Sequence, residues 1–179
     1  MATNKQTSPY LTLGQIAKPH ALKGELKIDP YFEMLDEFPL EDPPAVFYLA
    51  GREAHHAKQF LTIKKISVHQ KQFLASFAEV PSLEAAQVLK GKTLYFEREQ
   101  VESPKGFFYE ELIDAEFKDE KLNRSGRIVD IYQTPAHFNL ELVGDGKEFD
   151  MPFVAPFVLE FDRDQNVLKV NLSPLLESL

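Results

Sequence analysis

Two pairs of alternating apolar residues, Leu11 with Leu13 and Leu26 with Ile28, flank a run built from glycine, proline and lysine. This spacing admits little besides an antiparallel strand pair closed by a tight turn. Side chains alternate across a strand, so these four residues face one core while their neighbours face water. Pro19 fixes its own φ and Gly24 supplies conformations that other residues resist, which together shape the connection. Lys18, His20, Lys23 and Lys27 then sit on a turn of fixed shape. Such a loop can meet a phosphate backbone at small ordering cost; as a purely structural turn, the same lysines solvate the hairpin.

Short strands continue along the chain. Ala45–Ala50, Phe60–Val68, Gln72–Phe77 and Thr93–Phe96 read as strands, and Ser82 caps a short helix that carries Leu83, Ala86 and Leu89 on one face and ends at Gly91. Met34 to Pro44 is expected to be neither helix nor central strand, because Pro39, Pro43 and Pro44 remove backbone donors. Residues 99–106 are charged, contain Pro104 and Gly106, lack apolar periodicity, and read as a linker. Beyond them the pattern restarts with a helical turn through Ile113 and strands near 115–117, 126–132, 138–143, 147–151 and 167–171, two of which join at Gly144-Asp145-Gly146. No βαβ alternation is present. The expected fold is all-β: two small β-barrel domains, 1–98 and 107–179, joined by a short linker, with one short helix in each region.

The 179 residues are 44% hydrophobic, enough for a core, and include no cysteine, which removes disulfides, thiolate nucleophiles and zinc-thiolate sites together. No leader-like start and no apolar run of roughly 20 residues is evident, so a cytoplasmic, membrane-free monomer is expected. Charge is unevenly spread. Residues 1–100 carry 12 basic and 12 acidic side chains, so the remaining 8 basic and 16 acidic residues, and the whole net charge of −8, fall in 101–179. An acidic second half favours basic protein partners, whereas a neutral first half with local lysines can touch phosphate.

Enzymatic constellations are missing from the sequence. His20, His55, His56, His69 and His137 have no metal-ligand spacing, and no phosphate-cradling, dinucleotide or nucleophile-elbow motif occurs. Glu110-Glu111 and Asp119-Glu120 read as solvated acid. No catalysis, cofactor or metal is expected. Lys58, Lys64, Lys65 and Lys71 read as an exposed strand face. Phe107, Phe108 and Tyr109 are the sharper feature: three consecutive aromatics cannot all face one core, so at least one lies near the surface beside Glu110 and Glu111, as an anchor for a basic partner would.

Gly14, Lys18-Pro19-His20 and Gly24-Glu25 closely resemble the N-terminal signature of the ribosome maturation factor RimM family. Phe107 to Asp114, Gly126 to Asp130 and Met151 to Val154 resemble landmarks of its C-terminal PRC-barrel domain. Ala21 stands where the family usually has glycine, Phe107 and Phe108 where it has tandem tyrosines, Asp114 where it has glycine, and His137-Phe138 where it has an asparagine-aspartate pair. The resemblance implies a non-enzymatic assembly factor. It implies binding to the free small ribosomal subunit through a basic head protein, small-subunit protein nineteen, and help with head maturation and small-subunit ribosomal RNA processing. Phe107, Phe108, Tyr109, Glu110 and Glu111 would dock that protein, while Lys18, His20, Lys23 and Lys27 would contact RNA. A general RNA-binding module and an RNA-processing enzyme are the alternatives. Gly126 to Asp130 and Met151 to Phe157 read as barrel framework.

Overall fold

A computed structural model of the chain describes residues 8–51 and 57–177. The chain divides into two compact units between Pro104 and Lys105. The first contains β1 (Tyr10–His20), β2 (Glu25–Pro30), β3 (Val46–Ala50), β4 (Ala57–Leu61), β5 (Ile63–His69), β6 (Gln72–Phe77) and β7 (Thr93–Glu97). Their order in the sheet is β4-β3-β7-β1-β2-β6-β5. Only Thr62 separates β4 from β5, so the two ends of this order are one bent strand, paired with β3 before the bend and with β6 after it. That bend returns the sheet on itself. The Ala78 amide donates to the Thr62 carbonyl at 2.9 Å, and the Glu79 carboxylate accepts from the Thr62 amide and hydroxyl, each at 2.8 Å.

The expected alternation places Leu11, Leu13, Leu26 and Ile28 in the interior with Phe73 and Phe96, all at most 2% exposed. Helix α2 (Leu83–Val88) starts at Ser82, whose side chain accepts from the Ala85 amide, and the chain after it returns to β1 through a bond from the Gly91 amide to the Ile16 carbonyl. Helix α1 (Met34–Glu37) corrects the expectation for Met34 to Pro44 and gives the first unit two helices rather than one. A single turn fits because the prolines begin only at Pro39. Phe38, held extended at ψ 130 by the proline after it, ends the helix. Val101 and Ser103, inside the segment read as a linker, are buried, and Ser103 donates to Glu37 at 2.9 Å.

The second unit contains β8 (Glu116–Asp119), β9 (Arg124–Gln133), β10 (Phe138–Gly144), β11 (Lys147–Pro152), β12 (Val158–Asp162), β13 (Val167–Val170) and helix α3 (Ser173–Glu177). The order is β11-β10-β9-β8-β13-β12, with β8 and β13 parallel. Strand β12 lies outside the expected set. Residues 153–157 connect the two ends of the order, and the interior holds Phe108, Phe117, Ile128, Leu140, Leu142, Met151 and Leu168. Asp119 is 2% exposed, and its two oxygens accept from the Leu122 and Leu172 amides at 3.0 and 2.7 Å. It is a structural tie rather than the solvated acid expected beside Glu120. Both units are small β-barrels, as the strand pattern implied.

Candidate functional site

The chain enters the second unit through Phe108, extended at φ −104 and ψ 151 just ahead of the 3-10 turn Tyr109–Leu112. Successive side chains in extended chain point to opposite sides. Phe108 is therefore fully buried, whereas Phe107 and Tyr109 share a half-buried outer layer. Phe107 meets Phe161 edge-on at 5.1 Å and Phe153 at 6.4 Å, and Tyr109 meets Phe138 at 5.0 Å and Phe153 at 4.9 Å. Lys105 lies over the Tyr109 ring, 3.9 Å from its centroid. Aromatic edges against faces fix ring orientation before any partner arrives.

Below this layer the 3-10 turn Tyr109–Leu112 is closed by Glu111. The Glu111 carboxylate accepts from the Phe108 amide at 2.6 Å and from Arg163 Nε and Nη2 at 3.1 and 2.8 Å, with Glu111 6% exposed. Of the five residues expected to dock a partner, Phe107, Tyr109 and Glu110 reach the surface, and Phe108 and Glu111 support them from beneath. The structure adds Phe138, Phe153, Phe161 and Arg163. Sequence reasoning passed over them because Phe153 lies in a run read as framework, and the Arg163 partnership spans 52 residues.

In the first unit, Lys18 lies opposite Lys27 and His20 opposite Glu25 across the β1–β2 pair. Lys18 and Lys23 are exposed, Lys27 and His20 half-buried, and Leu22 at the tip is 82% exposed. Like charges placed directly opposite repel. None of the three lysines has an ion-pair partner among the described residues. Gly24, at φ 78, presses on the segment before α2: a Cβ there would lie 2.4 Å from the Val80 carbonyl oxygen.

The second lysine group divides. Lys58 is ion-paired with Glu97 and lies 4.7 Å over the Phe47 ring, so it is a packing residue. Lys64, Lys65 and Lys71 are exposed, and the β5–β6 turn lies at the other end of the strands from residues 21–24. Among the described residues no group of three or more histidines and carboxylates is placed to hold a metal; His55 and His56 lie outside those residues.

The family model for the RimM N-terminal domain matches residues 11–101, and that for the RimM PRC barrel domain matches residues 109–175. The ribosome maturation factor RimM of Chlorobium phaeobacteroides is 34% identical over 160 residues, covering 86% of this chain and 89% of its own. The chain belongs to the RimM family. The RimM of Lactobacillus helveticus is 30% identical over 158 residues, covering 86% of this chain and 88% of its own. A solved RimM structure from Pseudomonas aeruginosa covers 90% of this chain and 96% of its own at 18% identity, with a TM-score of 0.40. Two departures from the RimM signature carry a backbone cost. Ala21, at φ 57, and Asp114, at φ 68, occupy left-handed conformations that a glycine adopts without strain. At Phe108 the departure is neutral to packing, since a buried phenyl ring leaves no hydroxyl to satisfy.

Proposed function

We propose that this chain is a non-enzymatic ribosome maturation factor of the cytoplasm, acting as a monomer on the free small ribosomal subunit. It docks a basic head protein, small-subunit protein nineteen, and assists maturation of the head and processing of small-subunit ribosomal RNA. The observation that carries this reading is the match of both RimM domains, in order, along a chain whose relatives are ribosome maturation factors. The outer aromatic layer of Phe107 and Tyr109 beside Glu110 supports a protein-docking role in the acidic unit, with Phe108 and Glu111 positioning it. The lysines at 18, 23 and 27, with His20, support an RNA contact in the neutral unit. A factor of this kind needs no chemistry of its own. It binds one conformation of the assembling head better than another and shifts the population toward it.

Gradient sedimentation with purified ribosomal particles tests the reading. The chain is expected to travel with free small subunits and not with complete ribosomes. Phe107→Ala with Tyr109→Ala is expected to weaken binding by at least about 2 kcal/mol, roughly thirtyfold, and added salt to weaken it further. Equal binding to complete ribosomes, or full affinity in a folded double variant, would overturn it. A change in length of precursor ribosomal RNA incubated with the protein alone would favour an enzyme instead.

A further inference from the structure

The second unit carries another surface at the barrel end remote from Tyr109 and Phe138. Strand β10 starts at Phe138 in the aromatic layer and ends at Gly144, about 20 Å away at the usual strand rise. Of the 8 basic residues in the acidic half, five have partners. Lys118 pairs with Glu116, Arg127 with Asp114, Arg163 with Glu111 and Lys169 with Glu160, and Lys105 covers Tyr109. Lys121, Arg124 and Lys147 have none among the described residues. All three lie at this one end.

Strand alternation fixes where two of them stand. Arg124 shares a face of β9 with the buried Ile128, and Lys147 shares a face of β11 with the buried Met151. That face is the barrel interior, so both cations mark the rows where the interior opens to solvent. Glu148 and Asp150 fall on the outer face of β11, and the interior carboxylate of Asp119 is already held by two backbone amides. Between the cations lies a hollow of about 110 Å³, bordered by Phe117, Phe149 and one carboxylate, Asp145. The two rings meet edge-to-face at 5.9 Å. Glycine at 126 and 144 makes room for the Phe117 ring: a Cβ would stand 2.6 Å from it at the first position and 2.9 Å at the second.

We propose that this mouth binds a phosphodiester of a nucleic-acid strand, with Arg124 and Lys147 on the phosphate and the adjoining sugar or base edge against Phe149. Arginine presents a donor fork to phosphate oxygens and lysine a point charge. Phenylalanine offers a face to any base. Pockets that enclose a small molecule span about 300–1,000 Å³, so a hollow of this size seats a phosphate and leaves the rest of its molecule outside. That geometry suits a polymer backbone. The site uses residues separate from the docking face and from the Lys18–Lys27 hairpin, and it stands whether or not the ribosomal reading does.

The test is an amide-shift titration of the intact, nitrogen-labelled chain with an eight-nucleotide uridine RNA and with the matching DNA. Shifts are expected at Ser125, Asp145 and Gly146, and equal response to both strands would assign recognition to the phosphate, a response to RNA alone to the ribose. Arg124→Gln with Lys147→Gln should raise the half-saturation concentration read at these amides at least tenfold. It should also flatten the slope of log affinity on log salt by roughly 1.4, two single-strand phosphate charges at about 0.7 each. Lys18→Gln with Lys27→Gln should leave these shifts in place. No shift at the three amides with either strand, or shifts that persist unchanged in the folded Arg124/Lys147 variant, would overturn the proposal.

Discussion

Replacing Glu111 by alanine tests the link between the buried carboxylate and the aromatic layer above it. The side chain serves three donors: the Phe108 amide at 2.6 Å, Arg163 Nε at 3.1 Å and Arg163 Nη2 at 2.8 Å. A buried N–H left without an acceptor costs about 1–3 kcal/mol. Breaking a fully buried ion pair from one side would cost about 3–5 kcal/mol more, but the Arg163 side chain is 45% exposed and water resolvates it. Its share falls to the surface-pair scale of about 1 kcal/mol or less. Glu111→Ala should therefore lose about 2–3 kcal/mol, and Arg163→Ala no less, because it takes the guanidinium from a carboxylate only 3% exposed. A urea titration of the intact chain, followed at amides of β9 and β10, reads the second unit alone, and hydrogen exchange at Phe108 reads the local bond. A loss below about 1 kcal/mol in Arg163→Ala, or undiminished protection of the Phe108 amide in Glu111→Ala, would refute the reasoning.

Gly24→Ala should cost at least about 2 kcal/mol, since left-handed strain of about 1–2 kcal/mol adds to a Cβ placed 2.4 Å from backbone oxygen; a loss below half of that in a urea melt would count against it. Ala21→Gly relieves similar strain at an entropic cost of about 0.5–1 kcal/mol, so the melt should show a gain of up to about 1 kcal/mol rather than a loss. Burial pushes the Glu79 carboxyl up, but hydrogen bonds from the Thr62 amide, the Thr62 hydroxyl and its own amide outweigh this and hold it below its ordinary value. Its contribution is thus present above the ordinary glutamate range and lost as pH falls through the lowered value. Glu79→Gln should be less stable than the parent near neutrality and equal to it in acid, and a deficit that does not shrink in acid would contradict this.

The parts of the fold readable from sequence are those set by neighbours along the chain. Alternation at Leu11, Leu13, Leu26 and Ile28 located the first strand pair, and Ser82 located α2, because both signals lie within a few residues of what they control. Helix α1 is hidden in the sequence because Pro39, Pro43 and Pro44 mark the whole stretch as broken, although Pro39 acts only on Phe38 and beyond. The closure of the first sheet depends on a bend at Thr62 with no proline or glycine to mark it, and is fixed instead by Glu79, 17 residues away. The candidate site divides the same way. Three adjacent aromatics were visible, and the opposite facing of Phe108 and its neighbours goes with the extended backbone at Phe108. The burial of Glu111 was not, because it depends on Arg163 arriving from beyond β12, a strand absent from the expected set.

An acidic charge surplus and an acidic docking surface are different quantities in this protein. Glu111, Glu116, Asp114 and Glu160 neutralise cations of their own unit, and Asp119 holds two amides, so these carboxylates are engaged before any partner approaches. On the proposed docking, a basic partner would meet the other carboxylates at long range, where charge raises the rate of encounter more than it tightens the complex. Affinity must then come from area that is already ordered. Ring contacts hold Phe107 and Tyr109, and the Glu111 bond to the Phe108 amide holds the backbone between them, which limits the ordering cost of about 0.5–1.5 kcal/mol per side chain on docking. On the proposed docking, Glu111, two residues past the aromatic run, therefore acts through geometry, whereas the acidic character of the unit acts through approach.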